Sequence, residues 1–205
     1  MFTTRRTLIK SASAAAALAL AGPALAAVEA DVIFVTAKAG DYHGRLTFGG
    51  QTYACMVGHM GVTGNKFEGD GCTPAGAFHL REVRYRVDNL GGAPNTHLPC
   101  YPARMTDGWC DDPSDPNYNK LITQPYQNDF EPMWRSDHVY DLLAVVGYND
   151  APVVPGAGSA IFLHVMRPPT DDHQWTAGCV SLELANLKAV LAACTPRTQI
   201  DIRAV

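Results

Sequence analysis

A histidine and a cysteine in the last quarter of the chain form a candidate base and nucleophile. His164 ends a short apolar run, and Cys179 follows Gly178 at the end of a polar loop. A thiol becomes a strong nucleophile when a nearby imidazole removes its proton, so these two residue types together suit covalent acyl transfer. Gly178 would let the backbone approach a substrate carbonyl, and amides around Cys179 would form an oxyanion hole. The residues alone leave a second interpretation open, in which a buried structural cysteine lies beside a core histidine.

Short strands are expected to position both residues, because alternating or β-branched apolar runs dominate the chain after residue 31. The runs fall at residues 32–36, 44–48, 51–57, 77–83, 139–148, 159–165 and 198–203. Gly49 and Gly50, between the second and third runs, predict a hairpin with a two-residue turn. One helix is predicted to begin near Ser181, which would cap it, with Glu183 in its first turn. Its apolar face would consist of Leu184, Leu187, Val190 and Leu191. A helix N-terminus directly after Cys179 would stabilise a thiolate and lower the pKa of the thiol.

Length and composition indicate one globular domain after a short leader. The 205 residues are 47% hydrophobic and 18% charged, which is enough apolar material for one core. A formal net charge of −4 argues against a basic surface for nucleic acid. Residues 27–205 are predicted to form this domain. Residues 88–136 are predicted to be an insertion or lid within it, because they are rich in turn residues and too long for a plain connection.

The first 26 residues have the pattern of an export signal. Arg5 and Arg6 lie in a basic head, a run of small apolar residues follows, and residues 24–26 read Ala-Leu-Ala, a cleavage pattern. The paired arginines favour the twin-arginine route, with an ordinary secretory signal as the alternative. The apolar run is shorter than the roughly 20 residues that span a membrane. We therefore expect a periplasmic protein without stable membrane insertion.

The six cysteines fit an oxidising compartment without defining a disulfide pattern. Cys100 and Cys110 flank a turn-rich loop and are the first candidate pair. The pairing of Cys55, Cys72 and Cys194 stays open. The sequence contains neither a Cys-x-x-Cys nor a paired-histidine spacing, so no metal site is predicted.

The segment from His164 to Cys179 resembles the signature of the L,D-transpeptidase (YkuD-type) catalytic domain. That signature is a histidine, a loop, and then Ser/Thr-x-Gly-Cys. Here residues 165–178 separate the histidine from the cysteine, and Thr176 and Gly178 match. Residues 73–78, Thr-Pro-Ala-Gly-Ala-Phe, resemble the family's Thr-Pro-x-Gly-x-Phe segment, and the end of the chain resembles its final strand. The likeness extends over residues 31–205 and is to a divergent proteobacterial branch.

The resemblance implies a mainly β fold of mixed, sandwich-like sheets with one helix after the cysteine. It also implies that Cys179 attacks the carbonyl of the diamino acid at position 3 of a peptidoglycan stem peptide, or at position 1 in a variant, and that His164 takes the thiol proton. The acyl group would then pass to the amine of a neighbouring diaminopimelate residue. Diaminopimelate-containing donor and acceptor stems would be the partners, and carbapenem-type compounds would be inhibitors. The implied reaction needs neither a metal nor an organic cofactor.

Three positions depart from the family pattern. Val165 follows the histidine where the family often has a glycine, and Ala177 precedes Gly178 where the family often has a histidine or lysine. Ser181 stands where the family commonly has an arginine. That arginine is a natural carboxylate partner, so its replacement points to an atypical cross-link position. Arg135 and Arg167 are the candidates to substitute for it, because a guanidinium binds carboxylates in bidentate fashion.

The predicted oxyanion and substrate-binding residues are Gly178, Thr176, Arg135, His138 and Tyr140. For the last three, an ordinary surface or core role is the alternative. His138 and His173 are the rivals of His164 as the base. Two other functions stay open: an L,D-carboxypeptidase or endopeptidase that uses the same pair, and a non-catalytic peptidoglycan-binding protein.

Overall fold

β-Strands make up most of the structure, a computed structural model that describes Met1 and residues 31–205. The strands are β1 (Val32–Ala37), β2 (His43–Phe48), β3 (Gln51–Met56), β4 (Val62–Thr63), β5 (Thr73–Pro74), β6 (Gly76–Tyr85), β7 (Cys100–Pro102), β8 (Asp107–Cys110), β9 (Leu121–Thr123), β10 (Phe130–Pro132), β11 (Leu142–Val146), β12 (Phe162–Val165), β13 (Val180–Leu182) and β14 (Gln199–Ala204). Within the described residues the helices are α1 (Val87–Leu90) and α2 (Leu184–Ala193). The predicted mainly β fold with mixed sheets is confirmed. Apart from Met1, the predicted export signal lies outside the described residues.

Nine strands form the main sheet, in the order β11-β12-β13-β3-β2-β1-β14-β6-β7. Because β6 also pairs with β11, the pairing closes into a ring. The β1–β14, β12–β13 and β6–β7 pairs are parallel, and the others in this sheet are antiparallel. A second sheet has the order β10-β8-β9. The topology brings β12 and β13, which flank the polar loop, side by side.

The hairpin predicted around two glycines is present. β2 and β3 pair from His43↔Met56 to Phe48↔Gln51, which leaves Gly49 and Gly50 as a two-residue turn. Their φ angles of 56° and 76° lie in the left-handed region that such turns require and that glycine adopts without steric cost.

The helix start predicted near Ser181 is wrong. Val180, Ser181 and Leu182 form β13, which pairs with β12 and β3, and α2 begins only at Leu184. Glu183 occupies the N-cap position. Strand pairing and burial in the sheet outweigh the local capping signal, because tertiary contacts override local propensity. The apolar helix face is confirmed in its buried part, since Leu187, Val190 and Leu191 pack into the main core.

The strands β11 and β12 are buried on both faces. Alternate residues, such as Leu142 and Leu163, point into the main core. Their neighbours Leu143 and Phe162 belong to a second apolar cluster, which also contains Trp109, Met133, Tyr140 and Cys179. The predicted insertion contributes the β10-β8-β9 sheet, and its Trp109 and Met133 cover the outer face of β11 and β12 in this second cluster. Segment 88–136 is therefore packed directly against the face of the sheet on which Cys179 lies.

All six cysteines fall within the described residues and are free thiols. The candidate pair of Cys100, in the main sheet, and Cys110, in the three-stranded sheet, is therefore not formed. In residues 31–205, neither helix has the length and apolar character needed to cross a membrane.

Candidate active site

The candidate nucleophile and base line one cleft of about 450 Å³. Cys179 immediately precedes β13 and His164 lies on β12, so the pairing of these neighbouring strands brings both residues to the same cleft. Four of the predicted substrate-binding residues line it too: Thr176, Gly178, Arg135 and Tyr140. His138 does not belong to this group. Its side chain is 69% exposed and binds Asp141 Oδ2 at 2.9 Å.

The thiol of Cys179 is buried, with 7% of the residue exposed. Sγ accepts a hydrogen bond from the Phe162 amide at 3.3 Å and donates one to the Ala160 carbonyl at 3.3 Å. Burial raises the pKa of the thiol to about 12, against a smaller lowering by the Phe162 amide. The expected thiolate at a helix N-terminus is wrong, because a strand follows Cys179. At neutral pH the side chain of Cys179 is therefore a neutral thiol.

His164 is a neutral imidazole of defined tautomer. Nδ1 lies 2.8 Å from the Val165 carbonyl oxygen. A carbonyl only accepts hydrogen bonds, so Nδ1 carries the proton and Nε2 carries the lone pair. Burial lowers the pKa of His164 to about 4, so the ring is uncharged at neutral pH. Since the contact uses the backbone carbonyl of residue 165, valine makes it as well as the family's usual glycine.

Tyr140 forms the wall between the base and the charged side of the cleft. The Tyr140 ring meets the His164 ring edge-on, with the two ring centroids 5.4 Å apart. The Arg135 guanidinium lies 5.2 Å from the centroid of the Tyr140 ring. Burial raises the pKa of Tyr140 well above its usual value. The phenol therefore stays protonated, and Tyr140 contributes a rigid aromatic surface beside His164.

Two threonine hydroxyls fix the backbone at Cys179. Thr176 Oγ1 donates to the Cys179 carbonyl at 2.6 Å and accepts from the Gly178 amide at 3.2 Å. Thr73 Oγ1 donates to the same carbonyl at 3.2 Å and accepts from the Gly58 amide at 2.8 Å. The first threonine comes from the predicted signature. The role of Thr73 was missed, although the Thr-Pro-x-Gly-x-Phe resemblance marks the residue.

Gly178 is required by geometry. Its φ is 155°, and a Cβ at this position would lie 2.9 Å from the Cys72 carbonyl oxygen. The backbone of residue 72 therefore passes too close for any side chain at position 178. This close approach explains why a glycine directly precedes Cys179.

The charged side of the cleft is a network of arginines and acids. Arg135 pairs with Asp137 at 2.6 Å and Glu131 at 2.7 Å, and Arg167 pairs with Asp137 at 3.1 Å and Asp171 at 3.2 Å. Both predicted arginines thus line the cleft, yet each already meets internal carboxylates. These acids were not predicted, because nothing in their spacing marks them in the sequence.

Three other positions complete the comparison with the sequence. Ser181 is buried on β13 opposite His164, and its hydroxyl has no hydrogen-bond partner among the residues that the structure describes. His173 also lines the cleft, and its ring packs against the Trp175 ring with the two centroids 5.4 Å apart. Asp111, which was not predicted, also lines it. Burial and the neighbouring acids raise the pKa of Asp111 to about 6.

Comparison with known proteins assigns the family. The model of the YkuD L,D-transpeptidase catalytic domain matches residues 42–202. The chain belongs to this family. The matched region of the L,D-transpeptidase domain includes Thr73, the segment 88–136, His164 and Cys179. No curated protein matches the chain.

Two solved structures are similar at low identity. A Bdellovibrio bacteriovorus protein, Bd1075, is 15% identical, with 83% of this chain and 47% of that chain covered and a TM-score of 0.40. Mycobacterium tuberculosis L,D-transpeptidase 1 is 14% identical, with 84% and 62% covered and a TM-score of 0.34. The present chain thus covers about half of the Bd1075 chain and about three-fifths of the M. tuberculosis chain.

In residues 31–205, no three His, Cys, Asp or Glu side chains are grouped to bind a metal ion.

Proposed function

We propose that this protein is a cysteine-dependent L,D-transpeptidase that joins peptidoglycan stem peptides, with Cys179 as nucleophile and His164 as base. The observation that carries the proposal is the shared cleft, in which a histidine of the Nδ1–H tautomer lies with the family's cysteine. The predicted export signal would bring such an enzyme to its substrate in the periplasm.

The proposed acylation starts from two neutral groups. Cys179 Sγ attacks the carbonyl of the diamino acid in the donor stem while its proton passes to His164 Nε2. That proton then goes to the amine of the departing residue, the peptide bond breaks, and a thioester remains on Cys179. Because the site is buried, proton transfer in step with attack avoids a fully charged thiolate–imidazolium pair at low dielectric.

The proposed second half returns the enzyme to its resting state. An amine of a neighbouring stem attacks the thioester carbonyl, and His164 Nε2 takes the proton that this amine loses. The thioester C–S bond breaks, the new amide forms the cross-link, and the proton returns to Sγ. If water replaces the amine, the same steps give a carboxypeptidase product.

We propose that Arg167 receives a substrate carboxylate in place of the missing family arginine. Its ion pairs of 3.1 and 3.2 Å are longer than the pairs of 2.6 and 2.7 Å that hold Arg135. A bidentate bond to an incoming carboxylate would therefore displace weaker contacts at Arg167 than at Arg135. Buried Ser181 has no charge to offer.

The experiment is product analysis with isolated cell walls rich in tetrapeptide stems. Purified enzyme should generate new stem dimers, identified by mass, and Cys179→Ala should generate none. Cys100→Ala is the matched control, because Cys100 lies on β7 and its loss should leave dimer formation intact. Free tripeptide stems without dimers would replace the proposal by a carboxypeptidase, and the absence of any product would favour a binding protein.

A further inference from the structure

We infer that Asn119, in the 88–136 segment, is a positioning residue for the Cys179 thiol and acts through the backbone of Ala160. The inference rests on the proposed function, since it assigns a role in presenting the nucleophile. Asn119 is far from Cys179 in sequence and belongs to neither motif of the family signature. Its connection to the thiol consists of a short series of direct hydrogen bonds.

Asn119 is buried, with 7% exposed, and its amide group is fully used. Oδ1 accepts from the Ala160 amide at 3.1 Å and from Trp109 Nε1 at 2.9 Å. Nδ2 donates to the carbonyls of Tyr148 at 3.0 Å and Asn149 at 2.8 Å. Two donors and two acceptors satisfy both ends of the amide, so its orientation is fixed.

Ala160 is held in a conformation that alanine rarely adopts. Its φ is 51°, in the left-handed region where a Cβ is unfavourable. Such a backbone persists only where surrounding contacts over-determine it, and such residues concentrate at functional sites. The bond from the Ala160 amide to Asn119 is one such contact. The adjacent Tyr118 provides a second, because its hydroxyl accepts from the Gly158 amide at 3.0 Å.

The conformation of Ala160 places its carbonyl on the nucleophile. The Cys179 thiol donates to this carbonyl at 3.3 Å, while the Phe162 amide, two residues further along, donates to Sγ at 3.3 Å. Phe162 is anchored separately by its pairing with Val145 in the sheet. Asn119 therefore controls the acceptor side of the thiol, and the sheet controls the donor side.

The test variant is Asn119→Gly, because residue 119 has a φ of 57°, which glycine adopts without strain and alanine adopts only rarely. Without Asn119, Ala160 can relax and its carbonyl leaves the thiol, while the Phe162 donor stays. The neutral thiol then loses its acceptor. The pH midpoint of Cys179 alkylation by iodoacetamide, followed by peptide mapping, should fall by about half a pH unit or more. Dimer formation should show kcat lowered about tenfold with KM within about twofold, because Sγ is no longer fixed relative to His164.

Rescue by glycine distinguishes positioning from general stability. In Asn119→Gly/Ala160→Gly, residue 160 adopts its left-handed backbone without strain, so both the alkylation midpoint and kcat should return most of the way to the wild-type values. Asn128→Gly is the matched control. This variant removes the hydrogen bond that Asn128 Nδ2 donates to Asp115 Oδ2, at 2.5 Å, in the same segment. It should leave the alkylation midpoint unchanged.

Two results would overturn the inference. One is a lower melting temperature for Asn119→Gly with wild-type alkylation midpoint and kcat, which would make Asn119 purely structural. The other is a shift that Ala160→Gly does not reverse. If the single variant Asn119→Gly does not fold, the test uses Asn119→Gly/Ala160→Gly instead. A wild-type alkylation midpoint in this double variant supports the inference, and a shifted alkylation midpoint refutes it. Failure of the proposed function is separable, because the alkylation midpoints do not depend on whether wild type forms dimers.

Discussion

Replacing Thr73 by valine tests how the fold holds the nucleophile. Thr73 is completely buried, and its hydroxyl links the Gly58 amide, at 2.8 Å, to the Cys179 carbonyl, at 3.2 Å. Valine has nearly the same shape but neither donates nor accepts. The substitution therefore removes two hydrogen bonds without opening a cavity. Cys179 keeps a donor from Thr176, whereas the buried Gly58 amide loses the acceptor that Thr73 supplies.

The expected magnitude follows from that asymmetry. A buried amide left without its acceptor costs about 1–3 kcal/mol. Each kcal/mol lowers the melting temperature of a domain of this size by roughly 2–4 °C, so the fall should be roughly 2–12 °C. Because the Cys179 carbonyl is held less firmly, the rate of dimer formation should also fall.

The measurement is the melting temperature of wild type, Thr73→Val and Thr73→Ser, obtained by thermal unfolding. The serine variant keeps the hydroxyl and loses one methyl group, which should cost about 0.8 kcal/mol from buried area. The valine variant should therefore be the less stable of the two and the less active. A valine variant that melts like wild type, beside a less stable serine variant, would refute the reasoning. Packing of the methyl group would then be what Thr73 contributes.

Three further predictions follow from the site. Gly178→Ala places a Cβ 2.9 Å from the Cys72 carbonyl oxygen, so unfolding should show a loss of about 1–3 kcal/mol with impaired turnover, and unchanged values would contradict the close approach. Burial lowers the pKa of His164 to about 4, so the stability that a neutral His164 provides is complete above pH 6.5 and is lost as the pH falls toward 4. Denaturant titrations from pH 7 to pH 4 should show wild type losing about 3 kcal/mol more than His164→Gln, and parallel losses would place the imidazole in solvent. His164→Ala should lower turnover by about a hundredfold or more, whereas His173→Ala should do much less, and equal effects would move the base to His173.

The fold could be predicted because its signals are local. Alternating apolar runs predicted three features: the β2–β3 hairpin, the strand β12 that contains His164, and the last strand, β14. The Gly49–Gly50 pair identified the turn without any tertiary information. The helix start near Ser181 could not be predicted in the same way. A serine followed by an acid is a good local cap, and only the pairing of Val180–Leu182 with β12 shows that these residues are a strand.

The site residues also separate into those that a local sequence motif marks and those that only the folded chain reveals. Cys179, His164, Thr176 and Gly178 were identifiable because their types and spacing form a motif, and the structure brings them to one cleft. The neutral state of the thiol depends on the burial of Cys179 in the second apolar cluster, which no local pattern encodes. Thr73 and Asn119 act through hydrogen bonds to residues distant in sequence, so their roles emerge only when the chain is folded. The acids around Arg135 are close to it in sequence, but nothing in their spacing marks them as its partners.

The central claim is that Cys179 forms a covalent acyl-enzyme with a stem peptide. Intact-protein mass spectrometry, after the enzyme is mixed with a diaminopimelate-containing tetrapeptide stem and no acceptor, tests it directly. We predict a mass gain equal to the tripeptide less one water, located on Cys179 by peptide mapping and absent from Cys179→Ala. Turnover by Cys179→Ala, or an adduct on another residue of the active enzyme, would contradict the account.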